Sequence, residues 1–194
     1  VTGDITVPEG ESLTIEGGAV LRFTGEYNFI VDGVLYALGD SLNHVDFTSS
    51  QPVPSPGDWG NLVLNGQGNE LRYVDYHYAS NGIEGDHADN SIFDHCTVTD
   101  IPQWVDDHER INCHGIAMEH CIDCVFNGNV VEGPIWEGIE VEHDATGSIF
   151  SDNVISTYTS EIGIYVGEGT EMTFSGNTFT NDEDGIKINS NGSG

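Results

Sequence analysis

The sequence predicts an all-β solenoid, a chain wound into stacked coils of short strands, and three observations carry that expectation. One phrase is written five times: Gly82-Ile83-Glu84-Gly85, Gly115-Ile116-Ala117-Met118, Gly138-Ile139-Glu140-Val141, Gly163-Ile164-Tyr165-Val166 and Gly185-Ile186-Lys187-Ile188. Its intervals are 33, 23, 25 and 22 residues, the range in which a unit that cannot bury its own apolar face stacks on its neighbours. A second phrase keeps register inside each unit: Ile92-Phe93-Asp94-His95-Cys96-Thr97-Val98-Thr99, Val125-Phe126-Asn127-Gly128-Asn129-Val130-Val131-Glu132, Ile149-Phe150-Ser151-Asp152-Asn153-Val154-Ile155-Ser156 and Thr173-Phe174-Ser175-Gly176-Asn177-Thr178-Phe179-Thr180. The segments alternate, are rich in β-branched residues and carry no helical period.

Stacking the second phrase, with Arg72 to Ala79 as a looser copy, predicts internal columns of Tyr73, Phe93, Phe126, Phe150, Phe174 and of Tyr78, Val98, Val131, Ile155, Phe179. It also predicts a turn column of Cys96, Asn129, Asn153 and Asn177. An amide there can donate to one coil and accept from the next, keeping buried turn backbone satisfied.

Taken in order, residues 1–59 are the opening coils. Their strands are expected at Ile5-Thr6-Val7, Leu13-Thr14-Ile15, Val20-Leu21-Arg22-Phe23, Phe29-Ile30-Val31, Val34-Leu35-Tyr36-Ala37 and Val45-Asp46-Phe47-Thr48. Gly17, Gly33, Gly39 and Gly57 mark turns that need positive φ or close backbone approach. Gln51 to Asp58, with three prolines, reads as a projecting loop under which Trp59 packs. Regular coils follow over 60–188, at about 60–81, 82–114, 115–137, 138–162 and 163–184, with a partial coil after 185. The 82–114 coil is overlong by the stretch 101–113, a second projecting loop, and such loops are where sites usually live. Trp104 and Trp136 follow the same strand column and would suit an aromatic platform for a sugar ring.

This wording resembles the right-handed parallel β-helix superfamily, which includes pectate lyases, polygalacturonases, mannuronan epimerases and phage tailspikes. The resemblance covers nearly the whole chain as one domain, 1–194, and implies a single-stranded right-handed parallel β-helix of about seven coils. One such fold hosts many functions, so it implies no activity by itself.

Charge bounds the partners. With 33 acidic residues against 4 basic ones and a net charge of -29, the surface disfavours nucleic acid. It suits either adaptation to high salt or binding of divalent cations. No run approaches about 18 apolar residues, so no membrane insertion is expected. A first residue Val1 and an end just past a strand read as a piece processed or excerpted from a longer exported chain, extracellular or at the cell surface.

The candidate site comes from register. Gly85-Asp86-His87, Met118-Glu119-His120 and Val141-Glu142-His143 put an acid followed by a His at the same place in three consecutive coils. Alternation turns Glu84, Asp86, Glu119, Glu140 and Glu142 outward on one sheet, with Tyr165 and Lys187 further along. Coils about 4.8 Å apart bring these carboxylates close enough to raise one another's pKa or recruit a cation. Carboxylates alone suit Ca2+, whereas the His column suits Zn or Cu. Asp86, His87, Glu119, His120, Glu142 and His143 are therefore the expected metal ligands.

All four cysteines, Cys96, Cys113, Cys121 and Cys124, fall within 29 residues. In an exported chain they read as disulfides, with Cys96–Cys113 and Cys121–Cys124 favoured among three connectivities. The rival reading is a Cys/His metal site that uses His114 and His120.

In the 101–113 loop, Asp106-Asp107-His108-Glu109-Arg110 resembles the Asp-Pro-His-Asp/Glu-Arg motif of mannuronan epimerases, departing from it at Asp107. The resemblance implies Asp106, His108 and Arg110 as catalytic residues of a uronate-polymer epimerase, lyase or hydrolase. Three readings of function thus stand: a structural or adhesive surface module binding cations or glycans, a carbohydrate-active enzyme, and a filament subunit. The expected partners are a polysaccharide, another surface protein, or copies of the chain through its coil ends, where unpaired strand edges invite pairing.

Overall fold

A computed structural model describes residues 1–102, 114–133, 136–157, 162–180 and 182–189. Among these, every strand–strand pairing between named strands is parallel, and three sheets run the length of the rod. The first sheet has eight strands and the second and third have seven each, which gives seven full coils and the start of an eighth.

The inward column of the first sheet is Ile5, Phe29, Leu62, Ile83, Ile116, Ile139, Ile164 and Ile186. It includes the Ile of all five repeated phrases. The Gly before each Ile is required by close approach. A Cβ on Gly115 would lie 2.4 Å from the Gly138 carbonyl oxygen, and one on Gly138 would lie 2.7 Å from that of Gly163. Of the four turn glycines expected in the opening coils, only Gly57 has a positive φ; Gly17, Gly33 and Gly39 are held by close backbone contacts.

Four phenylalanines of the second sheet stack as expected. Phe93, Phe126, Phe150 and Phe174 follow at centroid distances of 5.1, 4.9 and 4.9 Å with nearly parallel rings. The head of the column differs from expectation. Leu71 pairs with Phe93, and Tyr76, not Tyr78, pairs with Val98. Tyr73 and Tyr78 have φ values of 48° and 63°, so each sits at a corner outside the column; Tyr73 stacks on His95 at 4.8 Å, and Tyr78 is partly buried against the core. Leu71 and Tyr76 keep the five-residue spacing of the later copies; the aromatic residues two positions on mimic it.

The turn column between the second and third sheets forms an amide ladder. Asn129 Nδ2 donates to Asn153 Oδ1 and Asn153 Nδ2 to Asn177 Oδ1, both at 2.9 Å. The same amides donate to the carbonyls of Phe93, Phe126 and Phe150. Each Oδ1 also accepts the backbone N–H of the preceding column member. Cys96 heads the ladder, and its thiol donates to the Leu71 carbonyl at 3.3 Å, where an Asn amide would. This corrects the expected Cys96–Cys113 bridge. Cys96 is a free, fully buried thiol committed to the ladder, and Cys113 lies outside the described residues.

Trp59 is fully buried, stacks on Phe23 at 4.1 Å and donates Nε1–H to the His77 carbonyl; packing, not sugar binding, is its use. Of the expected aromatic platform, Trp104 lies outside the described residues and Trp136 is half-buried. At the rod ends, the outermost strands of the first sheet are Ile5–Val7 and Asp184–Ile188.

Candidate metal centre

The first sheet carries the chemistry on its outer face. Across Ile83–Gly85, Ile116–His120, Glu137–Asp144, Ile162–Val166 and Asp184–Ile188, one outward column reads Glu84, Ala117, Glu140, Tyr165, Lys187. This is the strip expected from alternation. At the far end of these strands the acid–His pairs come together. His120 Nδ1 lies 3.0 Å from Asp86 Oδ1, and His143 Nε2 lies 3.1 Å from Glu119 Oε2. His87 and His120 stack at 4.3 Å between centroids, and His120 and His143 sit at 5.1 Å.

Register departs from the simple expectation at one point. Met118 pairs with Val141, but His120 pairs with Asp144 because the longer strand carries one extra residue. Such a bulge re-aims side chains. Here it swings His143 back toward Glu119.

Two groups emerge with donor atoms within 4.8 Å of one another: Asp86, His87, His120 and Glu119, Glu142, His143. Together they are the six expected ligands. They are largely exposed, with His87 at 65% and His143 at 51%. The hydrogen bond with His120 holds the Asp86 carboxyl below its usual range. The Cys121–Cys124 disulfide closes the turn just after His120. Its sulfurs are bonded to each other, which overturns the reading that made them zinc ligands. Asp106, His108 and Arg110 lie outside the described residues.

A third group was missed. His114 Nδ1 stands 3.1 Å from Glu137 Oε2 and 3.0 Å from Glu140 Oε2. His114 and Glu137 are both 8% exposed. Burial lifts Glu140 to about 7, with His114 opposing the shift and Glu137 adding to it. His114 loses by burial but gains more from the two carboxylates, so its pKa is raised. Glu84, lifted by burial, faces the same space and accepts hydrogen bonds from Asn61 and Asn81. Between Glu84 and Glu140 stands Ala117, whose small side chain leaves a cleft of about 320 Å³ lined also by Glu119 and Glu142. A signal existed in the sequence: the residue before each Gly-Ile phrase is Asn81, His114, Glu137, Ile162 and Asp184, a column of its own beside the outward one.

The fold and this face define a parallel β-helix whose polar sheet concentrates imidazoles among carboxylates. Residues 47–194 match the family described as periplasmic copper-binding protein (NosD), and the chain belongs to that family. No curated protein and no solved structure matches it. Family membership goes with an exported module. The donor sets fit a transition metal: each of the three groups contains imidazole, which suits copper and zinc and which carboxylate-only calcium sites lack. No helix among the described residues is long and apolar enough to cross a membrane.

Proposed function

We propose that this chain is an exported β-helix module, periplasmic or at the cell surface, that binds copper reversibly through His87, His120 and His143 with Asp86, Glu119 and Glu142. The observation that carries the reading is the run of three imidazoles on consecutive coils, at centroid distances of 4.3 and 5.1 Å, each in a group with at least one carboxylate. Imidazole places copper near the top of the divalent order of affinity. The exposure of the column leaves any bound ion open to exchange, which suits a carrier rather than a permanent structural site. The net charge of -29 gathers cations around the rod before they find the column. An ion held there would also let an anionic polysaccharide or an acidic protein surface approach a face that otherwise repels both.

The test is copper titration of the metal-stripped chain, followed by calorimetry and electron paramagnetic resonance. The expected result is nitrogen-ligated Cu2+ whose affinity falls at least tenfold when His87, His120 and His143 are all replaced by Ala. Unchanged affinity and spectrum in the triple variant would refute the assignment.

A further inference from the structure

We infer a second and different metal site on the same sheet: His114 Nδ1, Glu137 and Glu140 form a three-ligand site for a zinc-class divalent ion, with its remaining coordination positions open to the cleft. It shares no ligand with the exposed column and goes beyond the proposed copper function.

Two observations converge. The three donor atoms lie within 4.8 Å of one another, with the imidazole nitrogen 3.1 and 3.0 Å from carboxylate oxygens of two different residues. Independently, the His114 side chain is nine-tenths buried and its Nδ1 is sealed from solvent without a hydrogen-bond partner. Its short contacts are ion-pair approaches to Glu137 and Glu140, the other two members of the group. Buried polar atoms are otherwise nearly always paired. An imidazole nitrogen and two carboxylate oxygens converging in this way on one sealed position are arranged as donors to a common cation.

The local fold presents these donors on rigid elements. Glu137 and Glu140 belong to one strand, and His114 stands two residues before the neighbouring one, with the intervening Gly115 N–H bonded to the Glu137 carbonyl at 3.0 Å. Chemistry narrows the ion. One imidazole is a poor fit to Ca2+, and a set with neither sulfur nor a second imidazole is a poor fit to Cu+. Two oxygens and one nitrogen suit Zn2+ and its neighbours Mn2+ and Fe2+. Three protein ligands beside an open cleft are the arrangement in which zinc keeps a position for water or a substrate oxygen. Ala117 keeps the cleft open, while Glu84, Glu119 and Glu142 line it.

The experiment uses the full chain with His87, His120 and His143 replaced by Ala, so that the exposed column is silent. Zn2+ is titrated by calorimetry, and Co2+ is added as a spectroscopic probe of ligand number. The expected result is one equivalent of Zn2+ bound, with Co2+ absorption of four- or five-coordinate intensity. Glu137→Gln and Glu140→Gln, each near-isosteric, should weaken Zn2+ at least tenfold while circular dichroism stays unchanged; His114→Gln should do the same. Absence of Zn2+ binding in the column-silent chain would overturn the inference, as would equal binding by it and both Gln variants. Neither outcome bears on copper binding by the intact column, so the two assignments fail separately.

Discussion

Asn153→Ala tests the amide ladder that holds the coils in register. The wild-type side chain makes four hydrogen bonds. Its Oδ1 accepts from Asn129 N–H at 3.0 Å and Asn129 Nδ2 at 2.9 Å, and its Nδ2 donates to the Phe126 carbonyl and Asn177 Oδ1, each at 2.9 Å. Asn129 and Asn153 are fully buried, so no water replaces these partners. Asn129 Nδ2 keeps its bond to Phe93 and Asn177 Oδ1 keeps one from the Asn153 backbone, but the Asn129 N–H loses the acceptor described for it. A stranded buried donor costs about 1–3 kcal/mol and each of the three other lost bonds about 1 kcal/mol, for a total of about 4–6 kcal/mol. That is a large part of the roughly 5–15 kcal/mol that typically holds a domain. Urea unfolding followed by tryptophan fluorescence would measure it, and hydrogen exchange at the Asn129 amide would localise it. Asn177→Ala, at the half-buried end of the ladder, should cost less, about 1–2 kcal/mol. A loss below about 1 kcal/mol for Asn153→Ala, or a larger loss for Asn177→Ala, would refute the reasoning.

Other expectations follow from the same frame. Cys96→Asn should be better tolerated than Cys96→Ala, because an amide can reproduce the thiol's bond to the Leu71 carbonyl and continue the ladder; thermal unfolding of the two variants decides it. Burial pushes the Cys96 thiol up to about 12, so it should resist iodoacetamide at pH 8.5 in the folded chain and react on unfolding, as read by peptide mass mapping. Gly138→Ala should destabilise by about 1–3 kcal/mol, since the new Cβ would sit 2.3 Å from Ile155 Cγ2 and 2.7 Å from the Gly163 carbonyl oxygen; urea midpoints would measure the loss. Burial, with the Asp75 charge adding to it, raises the Asp46 carboxyl above its usual 3.8 in the folded state. The folded chain then binds more protons than the unfolded one between the two values, and stability falls as pH rises through that window. Asp46→Asn should therefore raise the melting temperature at pH 7, with the difference closing as pH approaches 3.8 and below.

Much of this was legible because a solenoid writes its contacts at a fixed interval. The Ile column, the Phe stack and the Asn turns could each be read by laying one copy over the next, and the same operation brought out the six acid–His residues. Errors arose where copies were imperfect. Tyr73 looks like the head of the aromatic column, yet its positive φ places it on a corner while the less conspicuous Leu71 lies inside. The one-residue bulge beyond Met118 is invisible to a periodic reading. The group of His114, Glu137 and Glu140 escaped notice because His114 was read only with the cysteines and Glu137 borders the repeated phrase rather than lying within it. Burial, which turns these three residues into an unusual electrostatic site, leaves no periodic trace.

The coils do not vary in length evenly around the rod. In the last four corners between the second and third sheets, two residues separate the strands. Between the third and first sheets the separation ranges from 3 residues, after Gly133, to 16, after Thr99. Added sequence thus collects at one longitudinal seam, and that seam borders the strand starts where His114 and Glu137 stand. The exposed His column lies at the opposite ends of the same strands, beside short turns of four to six residues. Insertion and deletion can therefore be taken up at the seam while pitch, stacking and the spacing of the three imidazoles stay fixed. One edge of the sheet is free to diverge, and the other keeps the ruler.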